Sequence, residues 1–145
     1  GFVPVDMNVI IVGAGNIGSS LTSKLSDLGH RITVIERNSK AVSLIPRGRV
    51  DSGAINVIHL DGSTGPAMIE AGIVDADVFI AATGKDSLNG LAAQRAMITF
   101  NVEKVVALVS DEAVRTLYES LGIYTINKTT LVSTELTKML SKDEI

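Results

Sequence analysis

Asn8-Val9-Ile10-Ile11-Val12-Gly13-Ala14-Gly15-Asn16-Ile17-Gly18 opens a unit that closes at Arg31-Ile32-Thr33-Val34-Ile35-Glu36-Arg37. Residues 9–12 are four apolar β-formers in a row, the pattern of a strand buried on both faces. Gly13, Gly15 and Gly18 follow at G-x-G-x-x-G spacing, and each position asks something different of a glycine. The first permits a tight turn off the strand, the second lets a pyrophosphate approach the backbone, and the third lets the next helix lie close to the sheet. Ile17, Leu21, Leu25 and Leu28 recur at helical spacing, with Gly29 as a stop. A second strand, residues 32–35, ends in Glu36.

In a chain with 13 glycines the fingerprint alone is weak, and the competing reading is a structural βαβ unit whose glycines serve packing. Context strengthens it. The glycines stand between a strand and a helix, and Glu36 follows Gly15 by 21 positions, near the ~20 at which an acid meets the adenosine ribose.

The rest of the chain repeats strand and helix. A short helix over 39–45 is expected to end at Pro46 and Gly48, before a third strand spanning 55–60. Asp61-Gly62-Ser63-Thr64-Gly65 is a turn. Pro66 suits the first position of a short helix through Ala71, which Gly72 closes. Strand 78–82 leads through Thr83-Gly84-Lys85-Asp86 into a helix over 87–100 that buries Leu88, Leu91, Ala92 and Ala96. Strand 105–109 precedes a helix capped by Asp111, with Val114, Leu117 and Leu121 on one face. Strand 123–126 comes next. A last helix, capped by Thr129 or Thr130, runs to about Lys142.

Alternating strands and helices predict an α/β fold, a Rossmann-like doubly wound parallel sheet of six strands with helices on both faces. The glycine unit selects strand order 3-2-1-4-5-6, with the switch point between strands 1 and 4. The carboxyl ends there carry residues 13–18 and 82–85, and strands 2 and 3 bring Glu36 and Asp61 nearby.

Composition narrows the function. With 145 residues, 46% hydrophobic and 20% charged, one globular domain is expected. A net charge of −3 without a basic cluster argues against nucleic acid as a partner. There is no cysteine, so no thiolate metal site or disulfide is possible, and His30 and His59 are too far apart in sequence to suggest a metal site. No run approaches the ~18 apolar residues of a membrane helix. Residues 1–6 read as a tag remnant or linker ahead of Met7.

The amides of Asn16 and Ile17, at the start of a helix, should face phosphates. Glu36 should accept from the ribose hydroxyls and repel a 2′-phosphate, favouring NAD over NADP. Arg37 admits three readings: a 2′-phosphate partner, a surface charge, or a cation stacked on adenine. Asp61, with Gly62 and Ser63, reads on its own as an Asx-capped turn. Ala82, Thr83 and Gly84 end the strand across the switch point, near a pyrophosphate or second ribose, and Lys85 is within reach of a terminal phosphate. An enzyme would need an acid–base group beside the cofactor. Neither histidine is well placed for that, which sets a binding domain ahead of the alternative, the cofactor half of an NAD-dependent oxidoreductase.

Five stretches resemble the RCK family, regulators of K⁺ conductance, which includes the Trk/Ktr N-terminal nucleotide-binding domains. They are residues 10–18, 34–37, 60–63, 71–83 and 86–89; the most distinctive is Ala71-Gly72-Ile73-Val74-Asp75-Ala76-Asp77-Val78-Phe79-Ile80-Ala81-Ala82-Thr83. The resemblance implies a nucleotide-sensing gating subunit or domain of a K⁺ channel or transporter, without enzymatic activity. It implies NAD(H), ATP, ADP or AMP in the cleft and a place for Asp61, Gly62 and Ser63 beside the adenine. It implies a cytoplasmic location at the inner membrane face through a transporter partner. It also divides the chain into a Rossmann domain over 7–127 and a crossover helix over 128–145. That helix would carry Val132, Leu136, Met139 and Leu140 to a neighbouring subunit and build a homodimer or larger ring. The alternative for the same apolar face is packing on its own sheet.

Overall fold

The computed structural model describes residues 6–142, apart from the side chains of residues 131 and 132. Its strands are β1 (Asn8–Val12), β2 (Arg31–Ile35), β3 (Ile55–Ile58), β4 (Val78–Ala81), β5 (Lys104–Leu108) and β6 (Tyr124–Ile126). All pair in parallel, in the order β3-β2-β1-β4-β5-β6 that the glycine unit predicts. The connecting helices are α1 (Asn16–Asp27), α2 (Ser39–Val42), α3 (Arg47–Asp51), α4 (Gly65–Glu70), α5 (Asp86–Gln94) and α6 (Glu112–Ser120), and α7 (Lys128–Lys142) follows β6.

Side chains alternate between the two faces of the sheet, so β1 and β4 feed two cores. Ile10, Val12, Phe79 and Ala81 join a core under α5 and α6, with Ala92, Ala93, Val105 and Tyr118. Val9, Ile11, Val78 and Ile80 join the other, with Ile32, Val34, Ile45 and Ile55. Burying each Val or Ile contributes about 1.5–3 kcal/mol, which makes the two central strands the anchor of the fold.

The family-like stretch 71–83 performs structural work at the opposite end of the sheet from the glycine loop. Gly72 adopts φ 82°, which turns α4 into a 3-10 turn at Ile73–Asp75. The Asn8 amide donates to the Asp77 carboxylate at 2.8 Å, and the Asn8 side chain donates to the Asp75 carbonyl at 3.1 Å. These bonds fix the entrance of β4 beside that of β1.

Several sequence expectations need correction. Helix α1 ends at Asp27, and Leu28 is an exposed cap residue. Its buried positions are Gly18, Ser19 and Thr22, while Leu21 and Leu25 pack half-buried against the core beside them. The expected single helix over 39–45 is two short ones, and Pro46 caps the second rather than ending the first. Leu60 lies beyond β3 and is 39% exposed. The helix over 87–100 has a π turn at Arg95–Thr99; its inner face is Asn89, Gly90, Ala92, Ala93 and Ala96, while Leu91 is exposed. Gly90 lies on that face because Tyr118 packs directly against it. On α6 the buried side chain is Tyr118, and Leu117 and Leu121 face outward.

The cap of α7 is Asn127, whose Oδ1 accepts from the Thr130 amide at 3.1 Å, not Thr129 or Thr130. Leu136, Met139 and Leu140 are each more than half exposed, so their face does not pack on the chain's own sheet. The Val132 side chain expected on the same face, and most of the segment read as a tag or linker, lie outside the described residues.

Candidate functional site

Parallel strands leave their carboxyl-terminal loops on one edge, and a crevice forms where the order reverses. Two adjoining cavities occupy that place. One, of about 250 Å³, is lined by Gly13 after β1, Glu36 and Arg37 after β2, Asp61, Gly62 and Ser63 after β3, and Thr83, Lys85 and Leu88. The other, of about 300 Å³, is lined by Gly15, Asn16, Ile17, Ala82, Thr83 and Gly84, with Asp86, Ser110 and Lys128 at its far side. Thr83 borders both. All thirteen residues expected at the site except Gly18 line one cavity or the other.

The three glycines differ as their spacing suggests. Gly13 has φ +107°, and a Cβ there would come 2.6 Å from the Ala82 carbonyl oxygen. A Cβ on Gly18 would strike the carbonyl of Gly13, so this glycine holds helix against turn. Around Gly15 nothing lies within 4 Å of a built Cβ. Packing therefore demands glycine at Gly13 and Gly18 and leaves Gly15 open toward the cleft.

The Glu36 carboxylate is engaged by backbone amides on both sides. Its Oε1 accepts from the Ala14 amide at 2.8 Å and its Oε2 from the Asn38 amide at 3.0 Å. The carboxylate thus ties the glycine loop to the loop after β2. Each carboxylate oxygen has a second acceptor site, so ribose hydroxyls can still be met. This bracing role is not legible in the motif.

Asp61 closes its own turn. Its Oδ1 accepts from the Ser63 amide at 3.0 Å and the Ser63 hydroxyl at 2.7 Å. These two bonds hold its carboxyl below the ordinary carboxylate value, against a smaller opposing effect of burial, with Arg37 and Arg95 adding to the depression. Arg37 Nη1 lies 3.8 Å from Asp61 Oδ2, an exposed pair across the mouth of the first cavity. Arg95, from the π turn, donates to the Ser63 carbonyl oxygen and supports the turn from behind. Sequence reasoning passes over Arg95; a lone cation in the otherwise uncharged run Ala92-Ala93-Gln94-Arg95-Ala96-Met97-Ile98 is the available signal.

Asn89 is 1% exposed and braces the far wall. Its Oδ1 accepts from the Thr83 amide and hydroxyl at 2.9 and 2.6 Å, and its Nδ2 donates to the carbonyls of Thr83 and Leu108 at 3.0 and 2.9 Å. Asp86 accepts from the amides of Ser110 and Asp111 at 2.8 and 3.3 Å. The loops after β4 and β5 are thereby locked together. His30 sits at the opposite end of the sheet, its Nδ1 accepting from the Met7 amide at 3.1 Å, and His59 is exposed and lines neither cavity. Among the described residues no cluster of acids and histidines is arranged to hold a metal.

The TrkA-N domain family matches residues 9–128, which takes in the whole Rossmann unit and both cavities. The chain belongs to this family. Relatives of the TrkA-N domain in this chain include the Trk system potassium uptake protein TrkA of Streptomyces coelicolor, 34% identical over 123 residues, 83% of this chain and 52% of the relative. The TrkA homologue of Methanothermobacter thermautotrophicus is 30% identical over 140 residues, 96% of this chain and 62% of the relative. The chain therefore spans a little over half the length of these relatives. Among solved structures, the TrkA-N domain of the inner membrane protein ybaL from Escherichia coli superimposes with a TM-score of 0.80 at 16% identity, covering 95% of this chain and 99% of that one. The GsuK channel superimposes with a TM-score of 0.81 at 22% identity, over 99% of this chain and 25% of that one. At such identities the two structures attest the TrkA-N fold. Related GsuK channel structures hold NAD and ADP.

Proposed function

We propose that this TrkA-N domain senses an adenine nucleotide, NAD(H) or ATP, ADP or AMP, and regulates a potassium channel or transporter. The observation that carries the reading is the convergence of Gly15, Glu36, Asp61 and Thr83 on one crevice at the switch point of the sheet. In this reading the amides of Asn16 and Ile17 meet the phosphates, where unpaired N–H groups and the helix dipole favour an anion. Glu36 takes the ribose hydroxyls, and Arg37, Asp61 and Gly62 flank the base. The names of the relatives and the nucleotides held by GsuK support it.

A regulatory rather than catalytic role is favoured because His30 sits at the opposite end of the sheet and His59, although next to Leu60, lines neither cavity. No helix among the described residues is long and apolar enough to cross a membrane. The domain is read as acting from the cytoplasmic side on a separate or adjoining membrane partner. Residues 7–127 form the sensing unit in this scheme, and residues 128–145 reach a second copy through the exposed face of Leu136, Met139 and Leu140. Two crevices set in fixed relation then change their mutual angle if nucleotide binds one angle more tightly, the differential affinity that any such transmission requires.

Calorimetry of the purified chain with NAD, NADH, AMP, ADP and ATP, with mass spectrometry of any co-purifying nucleotide, tests the reading. Binding of at least one of them is expected. Failure of all five to bind the folded protein refutes it.

A further inference from the structure

Asp6, Met7 and Asn8 lead into β1 at the end of the sheet opposite the crevice, and each is held differently. Asn8 is tied toward β4 by its bonds to Asp75 and Asp77, and its Oδ1 accepts from Arg31 Nε at 2.7 Å. Met7 is tied to β2. Its carbonyl accepts from the Arg31 amide at 2.9 Å, and its amide donates to His30 Nδ1 at 3.1 Å. Asp6 is held by the exposed Arg31 guanidinium, which lies 3.4 Å from its carboxylate and 3.4 Å from its carbonyl oxygen. It stands at φ 69°, in the left-handed region that a residue with a side chain seldom occupies.

The bond from Met7 to His30 depends on the charge of the ring. To accept a proton, Nδ1 must be the bare nitrogen of a neutral imidazole; an imidazolium donates from both nitrogens and accepts at neither. Protonation therefore turns a ring N–H against the Met7 N–H. The ring is 9% exposed, so water has little access to relieve that opposition. A helix carboxyl end favours a cation, but the last carbonyls of α1 are already in use. Those of Lys24, Leu25 and Ser26 accept from the amides of Leu28, His30 and Gly29. The charged groups on the surrounding elements are Asp6, Arg31, Lys24 and Asp27 of α1, Arg49 of α3, and Asp75 and Asp77 before β4. Asp6 pairs with Arg31, Asp27 pairs with Arg49, and Asp77 accepts from the Asn8 amide.

We propose that His30 is a proton-operated latch on the entrance of β1: neutral, it holds the Met7 amide; protonated, it releases it. Asp6 is then left on an exposed ion pair, the kind of contact that holds a segment weakly. Opening stops at Asn8, whose bonds to Asp75 and Asp77 do not involve the ring. The latch lies at the far end of the sheet from the crevice, and it stands whether or not a nucleotide binds there.

The experiment follows the isotopically labelled wild-type chain and His30→Asn by NMR from about pH 8 to about pH 5, the range in which imidazoles change charge. The Cε1 resonance of His30 reports its charge, with exposed His59 as an internal reference. Hydrogen exchange, corrected at each pH for the rate of an unstructured amide, reports the protection of Met7 and of residues 9–12. In the wild type, Met7 protection should fall by about tenfold or more, the worth of one hydrogen bond, along the same curve as the His30 resonance. Residues 9–12 should keep theirs. Asparagine offers an oxygen near the position of Nδ1 and does not titrate, so in His30→Asn the protection of Met7 should not change with pH. Charging of His30 with Met7 protection unchanged would overturn the proposal. So would a ring that stays neutral down to about pH 5, the lower end of that range. Loss of protection at residues 9–12 together with Met7 would also overturn it, as unfolding of the whole strand. The same pH dependence in His30→Asn would assign the change to another group.

Discussion

One added side chain separates the two roles of the glycine fingerprint. In Gly18→Ala the new methyl meets the carbonyl of Gly13, 2.8 Å from its carbon and closer still to its oxygen. The obstacle is backbone, so no rotamer relieves it and helix α1 must move off the turn. Overpacking of this kind costs about 1–3 kcal/mol, and a backbone obstacle places the variant near 3 kcal/mol. With a urea dependence of about 1.5–2 kcal/mol per molar, the unfolding midpoint should fall by roughly 1.5–2 M. In Gly15→Val the new side chain meets nothing within 4 Å, and the backbone at φ −67°, ψ −166° suits any residue. Losing glycine at a helix cap and gaining unfolded-state rigidity are opposed effects of about 1 kcal/mol each, so the midpoint should shift by less than about 0.5 M. In the proposed reading the valine instead fills the space through which a pyrophosphate would approach. A clash of about 1–3 kcal/mol there weakens nucleotide binding by roughly 5- to 150-fold. Urea denaturation followed by circular dichroism and calorimetric titration read the two effects separately. A folded Gly15→Val chain with wild-type affinity, or one destabilised as much as Gly18→Ala, would refute the division of labour.

The bracing carboxylates set two further outcomes. Glu36→Ala strips the acceptor from the Ala14 and Asn38 amides and should destabilise the chain by about 2 kcal/mol, the scale of hydrogen bonds to a charged group; the ratio of NAD to NADP affinity should also fall, and an unchanged ratio would show that Glu36 does not discriminate between them. Asp61 has a folded value below its unfolded one, so its contribution to stability is present above the unfolded carboxylate value of about 3.9 and is lost as pH falls through the lower, folded value. Its carboxyl carbon, followed by NMR, should therefore titrate below about 3.9, and Asp61→Asn should flatten that part of the acid-unfolding profile; titration at or above the ordinary value would contradict the turn geometry.

The sheet order and the composition of the crevice are readable because they depend on local spacing. A strand, three glycines, a helix and an acid at fixed intervals leave few topologies for the remaining strands. Features that depend on distance between elements are not readable in this way. Leu91, Leu117 and Leu121 keep helical periodicity yet face outward, since amphipathic spacing says that a face is apolar without saying what covers it. Gly90 and Asn89 occupy the inner face of α5 instead, one giving room to Tyr118 and the other bonding two loops. Pro46 reads as a stop and is a start, because a proline that ends one helix also suits the cap of the next. The stretch 71–83, the most distinctive part of the resemblance, is made mostly of residues that shape the far end of the sheet, so resemblance and ligand contact are different things here. Only its final residues, Ala82 and Thr83, reach the crevice.

If the proposed nucleotide reading holds, the double engagement of Glu36 constrains any attempt to make this domain accept a 2′-phosphate. Removing the acid is the obvious first step toward accepting a 2′-phosphate, yet the same carboxylate supplies the acceptors for the amides of Ala14 and Asn38. Aspartate, one methylene shorter, would have to draw the loops together or release one of them. A neutral, small residue would release both. Exchange of NAD for NADP therefore asks for a replacement that still presents an oxygen to the Ala14 amide, such as glutamine, together with a cation close by to receive the added phosphate. Arg37 already stands next in the chain, and freeing it from Asp61 becomes the second half of the same redesign.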